Sequence, residues 1–223
     1  MRYLPINIDI RGKKAVIVGG GSVAARKCLT LLDAGARVTV IAPILSHTLL
    51  GLRGKGLIDH LPREYADGDL GGAFLAFAAT DERDVNNAVA GEAKKSGILV
   101  DVTDSPDLGT FTSPALVDRD GLLITVSTGG EAPVLAGRIR EELDARYGPE
   151  YAELTRILGK VREKLLTEKL DNQYNKQIIL KLLDRDLPAL VKMGDYAEID
   201  TILGDICGPG FDLAQLGIGK KDS

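Results

Sequence analysis

The chain opens on an alternation. Leu4, Ile6, Ile8 and Ile10 are separated by single residues of other character, the spacing of a strand with one buried face. Arg11-Gly12-Lys13 predicts a turn into Ala15-Val16-Ile17-Val18, a short apolar run suited to a parallel strand covered on both faces. Gly19-Gly20-Gly21 follows, and Val23, Ala24, Cys28, Leu31 and Leu32 then recur at helical spacing until Gly35 stops the helix. Arg37 to Ile41 reads as a second strand, closed by Pro43. The beat continues with a short strand at Ile58 to Leu61, a strand at Ala73 to Ala79, a helix over Asp81 to Ser96 and a strand at Ile98 to Val102. Strands alternating with helices imply right-handed crossovers and a doubly wound parallel sheet.

After Asp104 the period changes. Ala115 to Arg119 and Leu122 to Ser127 flank Asp120-Gly121, a hairpin turn signal. A helix is expected from about Pro133, with Leu135, Ile139 and Leu143 at four-residue spacing. From Tyr151 the pattern is helical, with Leu154, Ile157, Leu158, Val161 and Leu165 on one stripe and further helices over Asn175 to Leu183 and Leu187 to Leu203. The expected layout is a nucleotide-type α/β domain over 1–112, a small hairpin-and-helix segment over 113–148, an all-helical domain over 149–216 and a loose tail over 217–223.

Composition narrows the class. With 44% hydrophobic and 27% charged residues, the 223-residue chain is neither disordered nor rod-like. Lys+Arg 28 against Asp+Glu 32 gives a net charge of −4, which weighs against a duplex nucleic-acid binder. No apolar run approaches the roughly 20 residues that span a bilayer, and the first residues lack a secretory pattern, so no membrane association is expected. Cys28 and Cys207 stand too far apart in the sequence to suggest a disulfide framework or thiolate metal site, and a reduced cytoplasmic protein is the default.

The chemistry begins at Gly19-Gly20-Gly21-Ser22-Val23-Ala24, which has the form G-x-G-x-x-A between a buried strand and a helix. Gly19 can make the tight turn, Gly21 admits a pyrophosphate, and Ala24 allows close helix packing, with the helix N-terminus facing the phosphates. The acidic residue that commonly holds the ribose is missing: Ala42 and Pro43 stand there, so the motif leaves NAD against NADP open. Asp101-Val102-Thr103-Asp104 ends the fifth parallel strand, where open α/β sheets gather ligands, and a carboxylate there could accept a proton. A cap or turn residue is the plainer reading of Asp104 alone, and a structural hydrogen bond that of Asp101. His47 and His60 show no metal-ligand spacing; His47 is expected to start a helix and His60 to sit on an edge strand. Cys28 falls on an apolar stripe and reads as core. Ser127 to Gly130 suits an anion-binding turn.

Several of these segments, taken in order, resemble one family. They are Leu4-Pro5-Ile6, Val18 to Gly21, Val23 to Lys27, Ala78-Ala79-Thr80-Asp81 with Asn86, Val102-Thr103-Asp104, Phe111, Pro114, and Ser127 to Gly130 with Pro133 to Ala136. The series is similar to precorrin-2 dehydrogenase/sirohydrochlorin ferrochelatase, also the N-terminal module of sirohaem synthase, over about the first two-thirds of the chain. The resemblance implies a homodimer in which the segment after the Rossmann domain, about Ser113 to Tyr147, exchanges contacts between subunits; with the periodicity, the expected fold class is α/β, a Rossmann-like parallel sheet followed by a small β-hairpin/helix dimerisation segment and an all-α C-terminal domain. The resemblance also implies NAD as cofactor, at Gly19, Gly20, Gly21, Ser22, Val23, Ala24, Ala42, Pro43 and Thr80, and oxidation of precorrin-2 to sirohydrochlorin with Asp104 as the essential carboxylate. Asp101 departs from the family pattern, in which Asn is usual. Precorrin-2 carries eight carboxylates, so Ser127, Thr128, Gly129, Arg119 and Arg138 are candidate substrate contacts, the arginines against an alternative in which Glu141 and Glu142 pair the cations on a solvated face. Some family members insert ferrous iron; with two unpaired histidines and no Cys cluster, no metal ligand is assigned and dehydrogenation is expected to dominate. No methyltransferase domain is expected after the helices, so precorrin-2 is expected from another enzyme. Two other readings stand beside this one: a non-catalytic NAD-sensing module, and another Rossmann oxidoreductase acting on a small acid.

Overall fold

The structure, a computed structural model, describes residues 2–167 and 172–219. The chain folds as two compact units, Met1–Ser113 with Gly129–Ala132, and Pro114–Thr128 with Pro133–Ser223.

In the first unit the elements are β1 (Lys14–Val18), α1 (Ser22–Asp33), β2 (Arg37–Ile41), α2 (His47–Gly54), β3 (Ile58–Leu61), β4 (Leu75–Ala78), α3 (Arg83–Lys95) and β5 (Leu99–Val102). The five strands are all parallel in the order β3-β2-β1-β4-β5. Alternation along each strand builds two apolar layers. Ala15, Ile17, Val38, Val40, Leu75 and Phe77 pack with Ala24, Cys28 and Leu31 of α1 and Leu49 of α2. Val16, Val18, Ala76, Ala78, Val100 and Val102 pack with Val89, Ala90 and Ala93 of α3. Burial pushes the Cys28 thiol up to about 11, in keeping with a core residue. The β3–β4 connection has no helix; Glu92 of α3 anchors it, accepting the Tyr65 hydroxyl and the amides of Gly68 and Leu70, both at 3.0 Å.

The expected opening strand does not form. Leu4, Ile6 and Ile8 are 74%, 64% and 41% exposed, and only Ile10 is buried. Alternation makes a strand only where a sheet edge receives it. At the β5 edge the chain already pairs with itself, Thr110 N–H donating to the Val100 carbonyl and the Val100 N–H to Thr110 Oγ1, both at 2.8 Å.

In the second unit β6 (Ala115–Asp118) and β7 (Leu123–Val126) form an antiparallel hairpin, with Asp120 and Gly121 at positive φ in its turn. The helix α4 (Pro133–Arg146) packs on both strands. The helices α5 (Glu150–Thr167), α6 (Asn172–Leu183), α7 (Leu187–Met193) and α8 (Tyr196–Cys207) enclose Leu154, Ile157, Val161, Leu165, Leu182, Leu187, Ile199 and Leu203. The single helix expected over Leu187 to Leu203 is two: Gly194 at φ 72° ends α7, and Asp195 caps α8 by accepting from the Glu198 amide. Leu213 and Leu216 are buried in this core, and so is Ile218 of the tail that was expected to be loose from Gly217. The remainder of that tail, 220–223, lies outside the described residues. No helix among the described residues is long and apolar enough to cross a membrane.

Candidate active site

The strand order reverses its winding between β1 and β4, the place beyond whose carboxyl ends open parallel sheets gather their ligands. Four loops border that end of the sheet: Gly19 to Gly21 after β1, Ala42 to Ser46 after β2, Ala79 to Glu82 after β4, and Thr103-Asp104 after β5.

The three glycines have different surroundings. At Gly19, φ is +128° and a Cβ would lie 2.2 Å from the Ala79 carbonyl oxygen; at Gly20 it would lie 1.9 Å from that of Ile44. At Gly21 it would meet nothing within 4 Å. The first two residues are therefore walled in by backbone, while the third opens outward. Gly21 is the N-cap of α1 and its carbonyl takes the first helical bond, from Ala25. The amides of Ser22, Val23 and Ala24 thus have no partner within the helix, and the first turn holds no acidic side chain. A narrow turn, an open third glycine and unopposed amide donors fit a pyrophosphate.

Ala42 is buried and Pro43 exposed at the end of β2, and neither carries a charge. His60, on the edge strand β3 as expected, donates from Nε2 to the Ala42 carbonyl at 2.9 Å and steadies this loop. His47 begins α2. Ile44 projects beside Pro43, 82% exposed.

Thr80, Asn86 and Asp104 form one hydrogen-bonded group. The Asn86 Oδ1 accepts the Thr80 amide at 3.3 Å and its hydroxyl at 2.9 Å, and Asn86 Nδ2 donates to the Thr80 carbonyl at 3.0 Å and to Asp104 Oδ1 at 3.4 Å. Asn86 is 1% exposed, whereas Asp104 is open to solvent. Asp101, by contrast, is buried within β5. Its Oδ2 accepts from Lys27 Nζ of α1 at 2.7 Å and from Ser113 Oγ at 2.6 Å. The two aspartates of this short stretch therefore divide into a buried structural one and an exposed one. The β-strand period put Asp101 in the interior, but no spacing in the sequence pointed to Lys27 or Ser113 as its partners.

The Gly129-Gly130 pair, both at positive φ, belongs to the first unit: Tyr3 lies 3.8 Å from where a Gly129 Cβ would stand, and Pro106 3.1 Å from that of Gly130. Ser127 and Thr128 belong to the second. There Arg119 is committed to its own unit. Its Nε donates to the Tyr147 carbonyl at 2.8 Å, its Nη2 to Asp144 Oδ1 at 2.7 Å and its Nη1 to the Asp118 carbonyl at 2.9 Å. With its charge neutralised by Asp144, it clamps the hairpin to the end of α4 and is poorly suited to the substrate contact expected of it. Arg138 is 71% exposed beside Glu141 and Glu142, at 3.9 and 3.3 Å, an i,i+3 and i,i+4 arrangement that is weak in water.

Comparison with known proteins follows the same division of the chain. Residues 6–115 match a family described as NAD(P)-binding, and residues 119–146 match the central region of sirohaem biosynthesis proteins. Siroheme synthase 1 of Aeromonas salmonicida is 36% identical over 227 residues, covering 100% of this chain and 48% of that protein. The siroheme synthase of Chromobacterium violaceum is 39% identical over 197 residues, 88% of this chain and 42% of the relative. That of Methylococcus capsulatus is 44% identical over 165 residues, 74% of this chain and 35% of the relative. The chain thus spans about half the length, or less, of the curated relatives it matches. Among solved structures, SirC, a precorrin-2 dehydrogenase, aligns with a TM-score of 0.72 at 27% identity, over 90% of this chain and 98% of that one.

Proposed function

Because the chain belongs to the family of precorrin-2 dehydrogenases and sirohaem synthases, we propose that it oxidises precorrin-2 to sirohydrochlorin with NAD. The observation that carries this reading is the placement of one exposed carboxylate, Asp104, beside the β4 loop that packs against the glycine turn.

Gly19 to Ala24 hold the pyrophosphate through backbone donors, and the Ala42-Pro43 loop and Thr80 border the rest of the cofactor. When bound, NAD supplies the acceptor for a hydride, which carries away two electrons and one hydrogen. Asp104 takes the accompanying proton from the tetrapyrrole, so that sirohydrochlorin, NADH and one proton are the products. Its exposure suits a base that must meet a large substrate. Within the second unit the hydroxyl side chains of Ser127 and Thr128 suit a carboxylate, and Arg138 offers a solvent-facing cation to the acidic substrate.

A second copy of the chain completes the assembly in this reading. In the hairpin and α4, Val117 and Ala136 are the buried apolar residues, whereas Leu116, Leu123, Val134 and Leu135 are 37%, 49%, 88% and 53% exposed. Such a thin core, with its apolar side chains turned outward, suits a homodimer contact. The two cysteines, each with its thiol raised to about 11 by burial, fit a reducing cytoplasmic setting.

The test is Asp104→Asn, which keeps the volume and removes the charge. Its melting curve and NAD affinity should match the wild type, while NADH formation from precorrin-2 falls by about two orders of magnitude. Wild-type turnover in this variant would remove Asp104 from the chemistry. Supplying sirohydrochlorin and ferrous iron without NAD, in a parallel assay, reveals whether the same site also inserts the metal.

A further inference from the structure

We infer that Asn86 is a positioning residue, which fixes the Asp104 carboxylate relative to the cofactor turn. This rests on the reading of Asp104 as the base. Asn86 stands in the first turns of α3, 1% exposed, with its backbone amide bonded to the Glu82 carbonyl. Its side-chain amide has two acceptor sites and two donor hydrogens, and four contacts use them. Two are with groups that cannot exchange roles: the Thr80 N–H only donates, at 3.3 Å to Oδ1, and the Thr80 carbonyl only accepts, at 3.0 Å from Nδ2. These two contacts settle which end of the amide is oxygen. The second Nδ2 hydrogen is then directed at Asp104 Oδ1, 3.4 Å away.

The other end of this linkage is the glycine turn. Ala79 donates its amide to the Val18 carbonyl at 2.8 Å, and the Ala79 carbonyl lies where a Gly19 side chain would have to be. One buried amide therefore spans from the loop backing the cofactor turn to the exposed carboxylate just past the next strand. Hydride and proton must leave the same substrate molecule, so the separation of acceptor and base matters to the rate more than to binding of either ligand. A buried amide fixed by two backbone contacts holds that separation without touching the substrate.

Asn86→Asp is the discriminating variant. It keeps an acceptor for both Thr80 donors and replaces the amide nitrogen that donates to the Thr80 carbonyl and to Asp104 with a carboxyl oxygen. In anaerobic assays with precorrin-2 and NAD, kcat should fall by about ten- to a hundred-fold, the scale of a lost hydrogen bond to a charged group, while the KM for NAD stays within about two-fold. The same substitution made in an Asp104→Asn background should cause no further loss of kcat, because the residue acts through Asp104. Should Asn86→Asp not fold, Asn86→Ser, which shortens the side chain and removes the amide, goes through the same cycle. An unchanged kcat, or a loss of equal size with and without the Asp104 carboxylate, overturns the inference while leaving Asp104 as the base. A wild-type chain that forms no NADH from precorrin-2 overturns the functional reading and this inference with it.

Discussion

At Gly19 a backbone φ of +128° and the nearby Ala79 carbonyl both exclude a side chain, whereas at Gly21 the space beyond the backbone is open. The two positions should respond differently to substitution. Gly19→Ala forces an L-residue into a strained region against a backbone wall, and should lose about 2 kcal/mol or more in chemical denaturation. Gly21→Asp meets no protein atom, and should unfold at the wild-type denaturant concentration. It puts a carboxylate against the pyrophosphate instead, so a fluorescence titration should lose the saturable NAD signal that the wild type gives. Equal stability of the two variants, or saturable NAD binding by a folded Gly21→Asp, would contradict this division. Both glycines were visible in the sequence as one motif. That one is walled in and the other open depends on Ala79, far along the chain, and no local pattern reveals it.

Among the elements, strands β1 to β5 and helices α1 and α3 were legible because each is an apolar run or stripe, several of them closed by a glycine or proline, while of α2 only the start at His47 was. The misread elements failed for identifiable reasons. Leu4 to Ile10 has a strand's alternation but no free sheet edge beside it, since Thr110 already bonds to Val100. Leu187 to Leu203 keeps a helical stripe across a break, because α7 and α8 feed one core from either side of Gly194. The positions of Asp104 and the glycine turn beyond the strand ends were legible; the contacts of Asn86, Lys27 and Ser113 were not, since hydrogen bonding between distant segments leaves no periodicity. The Lys27–Asp101 pair joins α1 to β5, with side chains 14% and 7% exposed. Asp101→Leu would strand the lysine cation and should cost about 3 kcal/mol in chemical denaturation. Asp101→Asn still accepts from Lys27 and Ser113 and should cost less than half as much. If the two variants were equally stable, the pair would not be what fastens the helix to the strand.

For the whole molecule, the outward-facing Leu116, Leu123, Val134 and Leu135 lead to the expectation of a dimer. Light scattering at micromolar concentration should give twice the chain mass of 23.8 kDa. Replacing Leu123 and Leu135 together with Lys should shift that mass toward the monomer, and a wild-type chain that is monomeric at these concentrations would remove the dimer from the account. The reaction itself is read by its stoichiometry. The purified chain is incubated anaerobically with precorrin-2 and excess NAD while the NADH absorbance and the tetrapyrrole spectrum are followed together. One NADH should form for each sirohydrochlorin, at a rate proportional to enzyme and strongly reduced in Asp104→Asn. Precorrin-2 left unchanged by a folded chain that binds NAD would contradict it.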